Sequence, residues 1–94
     1  MAHIHIARTH NLGLEAARTA ADHVAAELRE EHGVRAHWEG DRLVVRGTGL
    51  RGNLTVRHDL VDVNVKLGLT MRLFRRVLEK EINEQLDEHL AVRT

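Results

Sequence analysis

From Val34 to Leu67 the apolar residues stand on every second position through four successive runs, and this period of two constrains the fold more than any other feature. The runs are Val34-Ala36-Trp38, Leu43-Val45-Gly47, Gly52-Leu54-Val56 and Val61-Val63-Val65-Leu67, each with polar residues between. Each predicts a strand with one apolar and one solvated face. Glu39-Gly40-Asp41, Thr48-Gly49 and His58-Asp59 separate the runs and carry the residue types that reverse a chain. An antiparallel meander follows, apolar on one side only. His3-Ile4-His5-Ile6 alternates in the same way and predicts a fifth strand at the start of the chain.

The flanking segments follow the helical period. Leu14, Ala17, Ala21, Val24 and Leu28 form one stripe, with Asn11 as the expected N-cap, Glu15 in the first turn and Gly33 as the C-terminal cap. Thr70 is the expected N-cap of a last helix whose stripe runs through Met71, Phe74, Leu78, Ile82, Leu86 and Leu90, broadened by Leu73 and Val77. Phe74 and Leu78 are expected to pack on Val63 and Val65. Residues 1–94 therefore read as a single α+β domain of order β-α-β-β-β-β-α, its two long helices covering one face of an antiparallel sheet. The glycines Gly47, Gly49 and Gly52 are expected to serve bends of that sheet.

Composition narrows the chemistry. The chain has neither cysteine nor tyrosine, and serine is absent too, so the commonest nucleophiles and any cysteine-based metal centre are excluded. Its threonines lack an activating motif, and no Gly-rich phosphate loop or His-Glu-x-x-His helix occurs. The expectation is a protein that is not an enzyme and uses no cofactor. Fourteen basic residues balance fourteen acidic ones, so no global field draws the chain to nucleic acid, only a local patch would do so, and with Trp38 and Phe74 both expected inward no nucleic-acid partner is expected. No run of apolar residues is long enough for a membrane span, and the cytoplasm is the expected location.

Eight histidines are the compositional oddity. His3 and His5 project from one face of the first strand and are weak candidates for metal ligands, with His37 as a third across the sheet. The expectation is that they cover the solvated face and hold no metal. His10 is expected to serve local hydrogen bonding. In the last helix Arg72, Arg75 and Arg76 crowd the first turns while Glu84, Asp87 and Glu88 crowd the last, an order that opposes the helix dipole. With Lys66 these arginines form the candidate interaction patch.

Several segments together resemble one family. Ile4-His5-Ile6, His10 with Leu12-Gly13-Leu14 and Ala17-Arg18, Trp38-Glu39-Gly40-Asp41, and Lys66-Leu67-Gly68-Leu69 with Phe74 and Glu81-Ile82 are similar to the polyhydroxyalkanoic acid system proteins. The resemblance implies a setting beside the synthesis and use of polyhydroxyalkanoate storage granules, and brings no catalytic residue with it. At the level of architecture the element order also resembles a reduced helix-grip fold. The leading expectation is a non-catalytic accessory protein that binds the granule, a granule-associated protein or a second copy of itself. A helix-grip binder of a hydrophobic acyl or thioester ligand, and a small acid–base enzyme acting on such a ligand, are the alternatives; an internal cavity separates them from the first.

Overall fold

Alternating segments become strands where one face can be buried, and the computed structural model, which describes residues 2–90, shows five of them: β1 (Ala2–Thr9), β2 (Arg35–Glu39), β3 (Arg42–Gly47), β4 (Leu50–Val56) and β5 (Leu60–Leu67). They form one antiparallel sheet in the order β1-β5-β4-β3-β2. The meander forms as expected, and β1 adds to its free β5 edge. Between β1 and β2 runs α1 (Leu14–His32); after β5 a 3-10 turn (Arg72–Phe74) leads into α2 (Arg75–His89). The architecture is an α+β domain, an open five-stranded sheet with two helices, in the predicted element order.

Ile4, Leu43, Leu54 and Leu67 of the sheet meet Ala17, Val24 and Leu28 of α1 and Leu78, Ile82 and Leu86 of α2 in a single core. α1 lies over β2, β3 and β4, where its buried Ala17, Ala20, Ala21 and Ala25 let the helix come close to the strands. α2 takes the remaining part of the same face, against β1 and α1. Leu78 lies in the same core as Val63 and Val65 of β5, and the helix backbone approaches β1. A helix is about 10 Å wide and five strands span only about 19 Å, so two helices side by side push the second toward the sheet edge. Arg8, on the inward side of β1, fastens it there by donating to Asn83 Oδ1 at 3.0 Å and to the Asp87 carboxylate.

The helix ends are only partly as expected. Gly33 closes α1 in the left-handed conformation (φ 65°), its N–H donating to the Arg29 carbonyl. At the other end Gly13 and not Asn11 precedes the helix, and no side chain caps it. Thr70 caps nothing either: Phe74 stands before α2, again without a side-chain hydrogen bond. The chain instead turns on its backbone, Met71 and Arg72 both donating to the Gly68 carbonyl.

Candidate functional site

The displaced start of α2 reshapes the residues around it. A 3-10 turn advances about 120° per residue where an α-helix advances about 100°, so it breaks the phase of the stripe read from Met71 to Leu90. Leu78, Ile82, Leu86 and Leu90 remain buried, and Met71 is half-buried. Phe74 is 51% exposed, Leu73 84%, Val77 55% and Leu69 72%, which corrects the expectation that Phe74 anchors the helix on the sheet. The sequence holds one hint of this. Met71, Leu73, Phe74, Val77 and Leu78 span a wider arc than one buried helix face can cover, so some of them must face water.

Arg72, Arg75 and Arg76 are interleaved with these exposed apolar side chains. Among the described residues none of the three takes part in an ion pair, and the first turn of α2 has no acid to complement its dipole. Further along α2, Lys80 and Glu84 pair one turn apart at 4.0 Å. Lys66 does not join the arginines. It lies on the opposite, uncovered face of the sheet, because its position in β5 alternates with the buried Val65 and Leu67.

The histidine candidates are also separated. His3 and His5 stand on β1 and His37 on β2, the two edges of the sheet, so the strands carrying them are about 19 Å apart. His5 Nε2 lies 2.7 Å from Asp62 and His37 Nε2 lies 2.7 Å from Glu39. The hydrogen bond from His37 is the main cause holding the Glu39 carboxyl below its ordinary range. His10 is buried: Leu12 N–H donates to its Nδ1 at 3.2 Å, which leaves Nε2 as the donor to the Arg57 carbonyl at 3.1 Å.

Among the described residues, ligand atoms close enough to share a cation come from Glu31, His32 and Glu81, all within 4.8 Å of one another where the end of α1 meets α2. The negative charge of Glu81 pushes the Glu31 carboxyl above its ordinary value of 4.5. A carboxyl raised in the folded state weakens folding as pH climbs through that raised value, and has no effect below the unfolded one. Glu31→Gln should therefore raise the melting temperature at pH 7, and this gain should vanish as pH falls below about 4.5. Melting curves at both pH values check it; an equal gain at each would put the effect outside the carboxyl pair.

The depression between α1 and α2, lined by Val24, Leu28, Glu31, Glu81 and Gln85 among others, holds about 90 Å³, and one between α1 and Ala36, Trp38 and Leu43 about 250 Å³, against roughly 300–1,000 Å³ for small-molecule sites in general.

The sequence profile of the polyhydroxyalkanoic acid system protein family matches residues 4–90. The chain belongs to this family. Among curated proteins none matches it. In this polyhydroxyalkanoic acid system protein the segments that carry the family likeness serve the architecture. Arg18 stacks its guanidinium 4.0 Å from the Trp38 ring centroid and donates to the Gly40 carbonyl at 3.0 Å and to Asp41 at 3.2 Å. Trp38 Nε1 donates to Asp22 at 2.9 Å, so the β2–β3 hairpin is fastened to α1 from both sides. Gly68 N–H donates to the Gly49 carbonyl at 2.9 Å, joining the exit of β5 to the β3–β4 turn.

Proposed function

We propose that this protein is a non-catalytic accessory protein of polyhydroxyalkanoate metabolism that docks on the cytoplasmic storage granule through residues 69–77. One observation carries the reading: a member of a polyhydroxyalkanoate family exposes Leu69, Leu73, Phe74 and Val77 in one short segment interleaved with three arginines. Large apolar side chains grouped on a surface and flanked by cations suit an interface between water and an apolar phase, because the chains enter that phase while the charges stay at its boundary. Burying one such side chain fully is worth about 1.5–3 kcal/mol, so four half- to fully exposed ones are enough for reversible attachment. No helix among the described residues is long and apolar enough to cross a membrane, which leaves lateral docking as the mode available to this segment. The alternative of a buried acyl ligand has less support, since the depression between α1 and the β2–β3 edge, lined by Ala25, Ala36, Trp38 and Leu43 among others, holds about 250 Å³, below the roughly 300–1,000 Å³ of small-molecule sites.

Co-sedimentation with isolated granules tests the reading. Leu73→Glu combined with Phe74→Glu should lower the affinity for granules at least tenfold, a change of about 1.4 kcal/mol or more, while leaving the melting temperature nearly unchanged. Reversing Arg75 and Arg76 to Glu should weaken binding mainly at low salt and, by favouring the helix dipole, stabilise the free protein by up to about 1 kcal/mol. Wild-type sedimentation by the Leu73/Phe74 variant would sink the proposal.

A further inference from the structure

The uncovered face of the sheet carries a charge pattern that exists only through strand register. His3 stands opposite Lys66, Lys66 opposite Arg51, Arg51 opposite Arg46 and Arg46 opposite Arg35. These five side chains, one from each strand, form a single straight row across the whole sheet, and all five are exposed. The next row is His5, Asn64, Asn53, Val44 and His37, and the row beyond it is Ala7, Asp62, Thr55, Arg42 and Glu39. The acids of this face have their backbones two rows away, about 13 Å along the strands, and only the Glu39 side chain reaches back to the depression beside Arg46. They also have closer partners: Asp62 meets His5, and Glu39 meets His37 at 2.7 Å and Arg42 at 3.7 Å. Among the described residues Arg35, Arg46, Arg51 and Lys66 make no ion pair.

Like charges directly opposite one another on neighbouring strands destabilise a sheet. Any polar residue would satisfy these outward positions, so four adjacent cations bring the fold a cost with no internal return. Their complement lies outside the chain. The row has no apolar or aromatic anchor of the kind that holds protein partners, and the adjoining row offers only Val44. Its partner is therefore held by charge alone, which is the situation of a polyelectrolyte whose counterions are released on binding. The row spans about 19 Å, and a nucleic-acid strand in a duplex advances about 3.4 Å per phosphate, so five or six phosphates fit along it. A depression of about 270 Å³ follows the row, where Asn53 and Asn64 add hydrogen-bonding groups beside Arg46, Arg51 and Lys66; Arg42 and one acid, Glu39, also line it. Neither aromatic side chain belongs to this face: Trp38 packs against the core and Phe74 precedes α2. Ring platforms for bases on this face are limited to the imidazoles of His3, His5 and His37, two of them held by carboxylates, which favours a duplex over a single strand.

We infer that the row Lys66-Arg51-Arg46-Arg35 binds the phosphate backbone of duplex nucleic acid without regard to sequence. The zero net charge of the chain excludes long-range attraction and is compatible with this contact, because register gathers cations that are scattered along the sequence.

Fluorescence anisotropy of a labelled 20-base-pair DNA duplex, titrated with the full chain between 50 and 200 mM salt, tests the inference. Four phosphate contacts give a slope of log K against log salt near about −3.6, or roughly a hundredfold loss of affinity over that range. Arg46→Ala with Arg51→Ala should halve the slope and weaken binding about tenfold at the low-salt end, without lowering the melting temperature. The Leu73→Glu/Phe74→Glu variant should bind the duplex like wild type, which separates this site from granule docking. Absence of binding at 50 mM salt, or a slope that the double alanine variant leaves unchanged, would overturn the site. Tighter binding of the single strand, or displacement of the duplex by inorganic polyphosphate at equal phosphate concentration, would overturn the choice of duplex as its occupant.

Discussion

Leu86→Ala should destabilise the domain by about 2–5 kcal/mol, whereas Phe74→Ala should cost less than about 1 kcal/mol. Both residues belong to the stripe read from the sequence, and the more bulky of the two is expected to matter less. Leu86 is wholly buried where α2 meets β1 and α1, so its removal leaves a cavity that rigid strands on one side and α1 on the other cannot close. Phe74 lies before the first turn of α2 with half its surface in water. A small domain commonly has about 5–15 kcal/mol of stability in all, so the Leu86 substitution consumes a large part of it. Urea denaturation of the two variants decides the matter: the midpoint should fall sharply for the first and hardly move for the second, at constant slope. A large loss from Phe74→Ala would mean that the 3-10 turn packs inward in solution.

Gly52→Ala should be at least as damaging as a moderate core truncation, with a cost of about 1–3 kcal/mol or more from overpacking. Gly52 faces the core side of β4, paired with Val45 on one neighbour and Val65 on the other. A Cβ there would run into the Asn64 carbonyl oxygen and lie 3.0 Å from Val65 Cα. Both are backbone atoms of β5, which cannot retreat without breaking the ladder that holds β1 and β4 on either side of it. Gly40 provides the contrast: its φ of 64° favours glycine, yet nothing lies within 4 Å of an added Cβ. Gly40→Ala should thus cost only the left-handed backbone penalty of roughly 1–2 kcal/mol. Comparing the two denaturation midpoints separates steric from conformational cost, and a Gly52 variant as stable as wild type would contradict the close approach of β4 and β5.

The expected position of α2 shows where reading from sequence stopped. Helical period predicts that Leu78, Ile82, Leu86 and Leu90 share a buried face, and they do. It does not locate the first hydrogen-bonded turn. That depends on Gly68, whose carbonyl accepts from both Met71 and Arg72 and holds the chain in a tighter turn before the helix begins. The stripe therefore runs on through Thr70, Met71 and Phe74 into a helix that starts only at Arg75. The exposed group at residues 69–77 arises from that shift and was hidden by a periodicity that continued through it.

What the sequence determined by itself is the set of local choices: period two for four linked strands and β1, period 3.6 for the helices, Gly33 as the α1 stop, and which side of each strand faces inward. These follow from side-chain alternation and backbone preference, which act over a few residues. Tertiary structure alone decided how those faces line up. α2 lies on β1 because α1 occupies the β4-β3-β2 side of the sheet, and His3, Arg35, Arg46, Arg51 and Lys66 become one row because hydrogen-bond register across five strands brings them level. Alternation tells each of these residues to face water; only the ladder, by pairing strands far apart in the chain, tells them which neighbours they will have there.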